Sequence, residues 1–361
     1  MKWQPAFTYK IKQVIAITIW WVLIGIFVEL HNAVNVDPAT HKHFLFFAFG
    51  NSAFGHLLIT AIGPFVGGLT AGSFIVFYQR EKLRGKTYGQ KLLIHSLLYL
   101  LFLSICILLV GGIGALNSRP GENFLEKFYL DVFSLRVLRL LIDWYFIVII
   151  TIFLLDVSER YGSGILRKLL LGKYYKPGKE ERIFMFLDLR SSTAIAEQRG
   201  DEKYFRMLRF FYQVANEAVI NNHGEIYQYV GDEIVVSWTK KTGLQNANCI
   251  RCFTAIEDIV QLHAETFNKQ FEVVPSFKAA IHIGEVATGE IGTVKKDIVY
   301  SGDVLNTTAR IVALCNQYKE KLIISETLQA SLGSTPGYSV VYLDSPVLKG
   351  KRSKLDLFAV R

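Results

Sequence analysis

Residues 183–193 read Ile183-Phe-Met-Phe-Leu-Asp188-Leu-Arg-Ser-Ser-Thr193, an apolar run that ends in a single carboxylate. Five apolar residues in a row are typical of a strand that is buried on both faces. The polar turn that follows predicts the start of a helix, which Ser192 or Thr193 can cap. A carboxylate at such a strand end is unfavourable unless it is paired or binds a metal. Asp188 is therefore interpreted either as a helix cap or as a ligand.

The charged residues divide the chain into two unlike halves. Residues 1–178 contain 18 Lys and Arg against 9 Asp and Glu, whereas the remainder contains 22 of each sign. The net charge of the whole chain, +9, thus belongs to the N-terminal half. A neutral C-terminal half lacks the electrostatic footprint of a nucleic-acid-binding domain, so no nucleic-acid partner is expected.

Four apolar runs in the N-terminal half are each long enough to cross a bilayer, which takes about 20 residues. They cover residues 11–30, 56–78, 92–110 and 138–155. Thirteen of the 18 basic residues lie before the first run, between the second and third runs, or after the fourth run. These segments lie on one side of the membrane, and the positive-inside rule therefore puts both termini in the cytoplasm. This half is predicted to be an α-helical transmembrane bundle of four spans in the inner (plasma) membrane, with the lipid bilayer as a partner.

A linker is expected between the bundle, residues 1–156, and a soluble domain, residues 179–361. Within the linker, residues 157–178, apolar side chains recur at helical spacing beside two basic ones, which predicts a short amphipathic helix. These apolar residues are Ile165, Leu166, Leu169 and Leu170. We expect the linker to couple the bundle to the soluble domain.

The soluble half predicts strands and helices in the order β-α-α-β-β-α-β, which is a ferredoxin-like, split βαβ core with additions. Two of its strands flank the two-residue turn formed by Gly231 and Asp232. In that fold the hairpin lies beside the strand of residues 183–188, so Asp188 and Asp232 are expected to meet. Two carboxylates in one site are both stable as anions when divalent cations bind them, as two-metal phosphoryl chemistry requires.

Two other groups of metal-ligating residue types occur in the chain. Cys249 and Cys252 form a C-x-x-C pair, but no second pair or nearby histidine completes a zinc site. Because they lie in a stretch with helical periodicity, buried core thiols are the favoured interpretation. Four histidines around the first outer loop are interpreted as solvated loop residues; they are His31, His41, His43 and His56.

Five ordered motifs in the soluble half resemble those of the class III nucleotide cyclase catalytic domain. They are Phe-Leu-Asp188-Leu-Arg-Ser-Ser-Thr, Tyr-Val-Gly-Asp232-Glu, Ile-His-Ile-Gly284-Glu-Val-Ala-Thr-Gly-Glu-Ile-Gly292, Ser-Gly-Asp303-Val-Leu-Asn306-Thr-Thr-Ala-Arg310 and Leu-Lys349-Gly-Lys351. The resemblance covers residues 183–361, about half of the chain, and implies an α+β cyclase domain.

The resemblance also implies the metal and phosphate ligands. Asp188 and Asp232 would hold two Mg²⁺ or Mn²⁺ ions per active site, with the carbonyl of Leu189 as a further ligand. Backbone N–H groups of the turn that follows would bind the β- and γ-phosphates of the substrate. The residues of that turn are Arg190, Ser191, Ser192 and Thr193.

A second set of residues is assigned in the same way. Asn306 would orient the ribose, Arg310 would stabilise the α-phosphate in the transition state, and Lys349 would neutralise the polyphosphate. Lys351 is interpreted as a solvated charge rather than a ligand. In the family the metal aspartates come from one protomer and the Asn/Arg pair from the other. Since this chain carries both sets, a homodimer with two equivalent sites is expected.

The positions that select the base in this family depart from both known patterns. One lies eight residues before the first glycine of the third motif and the other seven before the ribose-binding asparagine. They are Ser276 and Val299, which match neither the adenine nor the guanine pattern. Lys278 and Asp297 lie two residues away on the same strand faces. If the two strands pair antiparallel in that register, Lys278 and Asp297 face each other and read adenine, or form a simple cross-strand ion pair.

The sequence therefore predicts a membrane-anchored adenylate cyclase, which converts ATP into 3′,5′-cyclic AMP and pyrophosphate by two-metal-ion catalysis at a homodimer interface. A guanylate cyclase and a catalytically weak, cyclase-like membrane receptor remain as alternatives. A diguanylate cyclase shares the core fold, but its signature needs a second glycine where this chain has Val230.

Overall fold

The computed structural model describes residues 5–35, 53–79, 82–83, 86–116, 123–161, 172, 174, 176–294, 296–333 and 337–361. The chain divides into two compact units, of which one comprises Phe7–Arg160 and the other includes Tyr161–Arg361. We call them the helical unit and the cyclase-like unit. The side chains of the four loop histidines lie outside the described residues.

The helical unit contains the four long apolar helices that the sequence predicts. Its helices are α1 Pro5–Asn35, α2 Ala53–Ser73, α3 Tyr88–Leu116, α4 Phe124–Val132 and α5 Leu135–Tyr161. All but α4 are long and apolar enough to cross a membrane. A π-helical turn, Phe74–Gln79, extends α2. The short helix α4 is not predicted by the sequence, because its nine residues form too brief an apolar pattern.

Small residues allow α1 and α2 to pack closely in the helical unit. A methyl group at Gly68 would lie 2.8 Å from the Thr18 backbone, and one at Gly25 would overlap the Pro64 ring. Trp21 is fully buried, and its Nε1 donates a hydrogen bond to Thr151 Oγ1 at 3.0 Å. Small residues at a helix interface let the two backbones approach in this way.

The predicted linker starts within a helix. Residues 157–161 continue α5, so the fourth apolar helix ends later than the sequence suggests. The predicted amphipathic helix of the linker falls on residues 162–171, which lie outside the described residues.

The cyclase-like unit is a mixed sheet with helices on both faces. Its strands are β1 Gly178–Leu189, β2 Glu225–Val230, β3 Glu233–Thr239, β4 Phe277–Ile291, β5 Asp297–Ser301, β6 Leu322–Ser325, β7 Val340–Asp344 and β8 Leu357–Val360. Its helices are α6 Ser192–Arg199, α7 Asp201–Asn221, α8 Lys240–Leu244, α9 Asn248–Leu262, α10 Ala264–Phe271, α11 Asp303–Tyr318 and α12 Glu326–Leu332.

The strands lie in the order β2-β3-β1-β4-β6-β8-β7, and β5 pairs with β4. Because β1 is antiparallel to both β3 and β4, the first four strands have the predicted ferredoxin-like arrangement. The α+β fold class is therefore confirmed. The two-residue turn between β2 and β3 is also observed where the sequence predicts it.

β1 is buried on both faces, as its apolar run predicts. Ile183, Met185 and Leu187 pack into a core under α7, α9 and α10, whereas Phe184 and Phe186 pack into a core under α11. Because side chains alternate along a strand, Asp188 lies on the same face of the sheet as Phe184 and Phe186, which is the face covered by α11. The two cysteines of α9 are fully buried in the first core, so the prediction of core thiols is confirmed.

Arg182 is buried near the start of β1, with 1% of its surface exposed. Its Nη2 donates to Glu225 Oε2 at 2.8 Å and to Ser237 Oγ at 3.0 Å. The guanidinium carbon lies 4.7 Å from the centre of the Tyr300 ring. Ion pairing and stacking thus compensate for the desolvation of a charge at the opposite end of β1 from Asp188.

Glu225→Ala is expected to lower the free energy of unfolding of the cyclase-like unit by about 2 kcal/mol. The variant leaves the buried Arg182 charge with one carboxylate fewer to compensate it. Breaking a fully buried ion pair costs about 3–5 kcal/mol, and the loss is smaller here because Glu225 is partly exposed. Pulse proteolysis in urea measures the change. The matched control, Glu181→Ala, removes an exposed ion pair with Lys240 and should cost less than about 0.5 kcal/mol. Equal losses in both variants would contradict the role given to Glu225.

Candidate active site

Asp188 lies at the end of β1, between β3 and β4. It is opposite Glu233 in the pairing with β3 and opposite Lys278 in the pairing with β4. Lys278 Nζ is 3.2 Å from Asp188 Oδ2, and the Lys278 side chain is largely buried. The residue at the N-cap position of helix α6 is Ser191. The interpretation of Asp188 as a helix cap is therefore wrong.

The carboxylates of Asp188 and Asp232 lie close enough for the charge of Asp232 to act on Asp188, as the sequence predicts. Burial raises the pKa of Asp188, and the neighbouring Asp232 raises it further, while the hydrogen bond and charge of Lys278 act in the opposite direction. Two carboxylates at this distance repel each other unless a proton or a cation lies between them. The pair is thus arranged to bind positive charge.

Glu233 adds a third carboxylate that sequence reasoning missed. Burial is the main cause that raises the pKa of Glu233 to about 7, and the charges of Asp188 and Asp232 contribute to the same shift. The signal was present in the sequence, because Glu233 follows Asp232 directly. A hairpin with a two-residue turn places that position opposite the end of β1.

The metal-free protein is expected to lose stability as the pH rises from 4.5 to 7. The pKa of Glu233 is about 7 in the fold against an ordinary value of 4.5, so ionisation in this interval favours the unfolded state. Glu233→Gln should therefore raise the melting temperature at pH 8 in EDTA and change it little at pH 5. The control, Glu257→Gln, alters a surface ion pair with Lys321. A gain for Glu233→Gln that is the same at both pH values would contradict this account.

Two tyrosines on α7 border the carboxylates, and neither was predicted. Tyr212 donates a hydrogen bond to the Gly231 carbonyl at 2.7 Å, and its ring stacks on Tyr229 at 4.5 Å between ring centres. Tyr204 lies near Ser192, in the first turn of α6. Burial and the nearby Asp232 charge raise the pKa of both phenols. Tyr212 thus fixes the turn that carries Asp232.

The turn after β1 leads directly into α6, and the N-terminus of that helix has no side-chain cap. Ser191 has φ of 56° and its side chain makes no capping hydrogen bond to α6. The prediction that Ser192 or Thr193 caps this helix is wrong, because the helix already begins at Ser192. The first amides of α6 are therefore not satisfied by a capping side chain, and such amides bind anions.

Arg190 does not fit the predicted phosphate cradle. Its backbone N–H donates to the Ser276 carbonyl at 2.8 Å, and its Nη2 donates to the Glu320 carbonyl at 2.7 Å. Both groups hold the end of β1 to neighbouring segments. The cradle is thus reduced to Ser191, Ser192 and Thr193.

The structure brings Arg310 together with the turn that contains Lys349. A methyl group at Gly350, where φ is 74°, would lie 3.4 Å from Nη2 of Arg310. Asn306 lies one helical turn before Arg310 on α11 and is exposed, as is Lys349. Lys351 is not a solvated charge, because it forms an ion pair with Asp303.

The metal-binding aspartates and the second set of site residues, which includes Asn306 and Arg310, lie apart from each other within one chain. Cys315, near the end of α11, donates to the Ala279 carbonyl at 3.4 Å, next to Lys278 and hence level with Asp188. Asn306 lies nine residues earlier, about 13 Å along the helix axis. The sheet side of α11 is formed by buried residues, whereas Asn306 faces outward.

The predicted base-reading pair is not formed. β5 pairs antiparallel with β4, but Asp297 is opposite Ile291, thirteen residues beyond Lys278. Val299 is opposite Gly289. The register differs because β4 continues to Ile291, and the position of the turn fixes the register of a hairpin. Lys278 faces Asp188 instead, so the assignment of Lys278 and Asp297 to adenine recognition is wrong.

The carboxylate pair fits a hard divalent cation. Carboxylate oxygens are the ligands that Mg²⁺ and Mn²⁺ prefer, and Mg²⁺ sites commonly use one or two of them together with substrate phosphates. Within the described residues, no group of three or more His, Cys, Asp or Glu side chains is arranged to hold a metal. The remaining ligands would be backbone oxygens, such as the Leu189 carbonyl, and the substrate.

Comparison with known proteins agrees with this geometry. The adenylate and guanylate cyclase catalytic domain family matches residues 174–361. Adenylate cyclase 2 of Rhizobium meliloti (strain 1021) is 35% identical over 209 residues, which cover 58% of this chain and 58% of that protein. The adenylate cyclase of Anabaena cylindrica is 27% identical over 187 residues, or 49% of this chain and 36% of that protein.

Among solved structures, a bacterial light-regulated adenylyl cyclase superimposes with a TM-score of 0.49 at 18% identity, covering 57% of this chain and 60% of that one. The chain spans well under two thirds of the length of the two curated relatives named above. The family match nevertheless includes more than half of this chain, with both aspartates and the Asn306 and Arg310 helix. The chain therefore belongs to the adenylate and guanylate cyclase catalytic domain family.

Proposed function

We propose that this protein is a membrane-anchored adenylate cyclase that converts ATP into 3′,5′-cyclic AMP and pyrophosphate at the interface of a homodimer. One observation carries the proposal. Asp188 and Asp232 converge at the end of β1, while Arg310 and the Lys349 turn converge at a separate place on the same chain. Each set is half of the machinery that a cyclase needs.

Asp188, Asp232 and the Leu189 carbonyl would hold two Mg²⁺ or Mn²⁺ ions. When bound, such ions lower the pKa of the ribose 3′-hydroxyl and offset the negative charge of the triphosphate. Burial and the charge of Asp232 both raise the pKa of Asp188, and the repulsion between the two carboxylates favours cation binding at this place.

Ser191, Ser192 and Thr193 would bind the outer phosphates through the first amides of α6. Lys278 takes a new role in this proposal. Its ammonium group neutralises Asp188 at 3.2 Å in the free protein, and it would turn to the phosphates once divalent cations occupy the carboxylates. A buried lysine beside two phosphates is stabilised in its charged form, so the exchange of partners costs little.

In the reaction, a bond forms between the ribose 3′-oxygen and the α-phosphorus. The bond from that phosphorus to the bridging oxygen breaks, pyrophosphate leaves, and the hydroxyl proton passes to solvent. Asn306 of the second protomer would hold the ribose in line for attack. Arg310 of that protomer would stabilise the charge that develops on the α-phosphate, and its Lys349 would neutralise the polyphosphate.

Adenine is favoured over guanine by the relatives rather than by the described site. The matched proteins of Rhizobium meliloti and Anabaena cylindrica are both named adenylate cyclases. The register of β4 and β5 keeps Lys278 and Asp297 apart, so these two residues give no reason to favour adenine. A guanylate cyclase is therefore the second candidate, since Ser276 and Val299 match neither base pattern.

The purified full-length protein in lipid nanodiscs tests the substrate. With Mn²⁺ we expect cyclic AMP from ATP, and little cyclic GMP from GTP. Cyclic GMP alone would support the second candidate. No cyclic nucleotide from either substrate, with the protein shown to be folded and dimeric, would favour a cyclase-like receptor and overturn the proposal.

We also propose that residues 1–156 anchor the protein in the inner (plasma) membrane as four spans, with both termini cytoplasmic. The four long apolar helices and the distribution of basic residues support this. Residues 157–178 would couple the anchor to the catalytic domain, residues 179–361. A fluorescent protein fused after Arg361 should be bright, whereas alkaline phosphatase inserted near residue 40 should be active. The reverse pattern would contradict the orientation.

A further inference from the structure

The loop of residues 346–355, which we call the lysine loop, is held in one conformation by its own contacts. Val347 and Lys354 form an antiparallel bridge, and the Leu355 N–H donates to the Pro346 carbonyl at 3.1 Å. At the tip, the Lys351 N–H donates to the Leu348 carbonyl at 2.8 Å. These bonds define the backbone on either side of Lys349.

Two anchors attach the lysine loop to α11. Leu348 is buried in the core under α11. Lys351 forms an ion pair with Asp303, in the first turn of α11, and lowers the pKa of that carboxyl group. Thr307 donates to Asp303 Oδ2 at 3.3 Å, which orients the carboxylate toward the loop.

The anchored loop lies directly against Arg310. Gly350 is between Lys349 and Lys351, and a methyl group there would be 3.4 Å from Arg310 Nη2. The backbone between the two lysines therefore sets the place of the guanidinium. Of the two lysines that flank Gly350, Lys351 is used for attachment and Lys349 is left exposed.

We propose that Asp303 and Lys351 are positioning residues, which hold the lysine loop on α11 so that Lys349 and Arg310 meet the substrate at a fixed separation. This inference rests on the proposed function. The pair contributes little to stability, since Asp303 is 63% exposed in its side chain and exposed ion pairs are weak. Its effect is on geometry, because displacement of a catalytic group by about 1 Å can reduce a rate by about a hundredfold.

The test uses Lys351→Met and Asp303→Asn in the full-length protein, with ATP and Mn²⁺. Each is expected to lower kcat/KM by about ten- to a hundredfold with little change in melting temperature. The charge reversal Asp303→Lys with Lys351→Asp should recover part of the loss. The control, Lys321→Met, breaks a comparable ion pair with Glu257 and should leave kcat/KM unchanged.

A double-variant comparison separates positioning from general stability. Because Lys351 acts partly through Lys349, adding Lys351→Met to Lys349→Met should cause a smaller loss than Lys351→Met causes in the wild type, whereas independent effects multiply. Amide hydrogen exchange across residues 346–355 should also increase in Lys351→Met and not in the control. Wild-type kcat/KM in Lys351→Met and Asp303→Asn, or fully multiplicative losses, would overturn the inference.

Failure of the proposed function gives a different result. In that case the wild-type protein makes no cyclic nucleotide, or Lys349→Met is as active as the wild type. An active wild type with an impaired Lys349→Met and an unimpaired Lys351→Met would reject the positioning role alone.

Discussion

Asp188→Ala is expected to reduce cyclase activity by at least about a thousandfold, because it removes one of two carboxylates that would bind both metal ions. Asp188 pairs with Lys278 and is influenced by the charge of Asp232, at the point where β3, β1 and β4 lie side by side. Activity with Mn²⁺ and ATP, together with calorimetric titration of Mn²⁺, measures the loss.

A folding defect must be distinguished from a loss of metal binding in that variant. Asp188→Ala leaves the Lys278 ammonium group buried without its carboxylate, which is destabilising. Adding Lys278→Met removes the unpaired charge, so this double variant should melt near the wild type and remain inactive. Asp201→Ala, in the first turn of α7, is the matched control and should keep full activity. Strong activity in the stable double variant would contradict the metal role of Asp188.

Arg310→Ala is expected to lower kcat by about a hundred- to a thousandfold, with a much smaller change in KM. The guanidinium group would act on charge that appears only as the α-phosphate is attacked, so its loss affects the transition state more than substrate binding. The structure supports a precise placement, since Gly350 packs against the guanidinium of Arg310. Steady-state kinetics over a range of ATP concentrations measures both constants.

Two further variants define the result for Arg310. Arg310→Lys keeps the charge without the planar fork, so it should recover only part of the rate. Arg251→Ala removes an exposed arginine from α9 and should leave both constants unchanged. A raised KM with an unchanged kcat in Arg310→Ala would assign Arg310 to ground-state binding and contradict the proposed role.

The convergence of Asp188 and Asp232 could be predicted because it depends on local patterns. An apolar run predicts β1, a two-residue turn predicts the hairpin, and the order of elements predicts their neighbours. The same logic predicts four long apolar helices in the first half, since length and composition are enough for that assignment.

The wrong predictions concern contacts between residues that lie far apart in the sequence, because a local sequence pattern does not determine such contacts. The sequence assigns Lys278 to a base by pairing Ser276 with Val299, whereas β4 continues to Ile291 and Val299 lies opposite Gly289. Arg190 was placed in a phosphate cradle, although its guanidinium reaches a carbonyl 130 residues later in the chain. Such pairings are set by tertiary packing, which periodicity does not encode.

The third carboxylate, at position 233, was missed for a related reason. Its partner across the sheet becomes evident only when the register of β1 and β3 is known. The ion pair between Lys351 and Asp303 could not be predicted either, because the lysine loop is 48 residues away in sequence from the start of α11.

Mixing two inactive variants tests most directly whether two copies of the chain share each site. Asp188→Ala retains Asn306, Arg310 and Lys349, and Arg310→Ala retains both metal-binding aspartates, so a mixed dimer contains one complete site. When the two are coexpressed in equal amounts, random pairing predicts about a quarter of wild-type activity, although each variant alone is almost inactive. No recovery from a mixture that is shown to contain the mixed dimer would contradict a shared site.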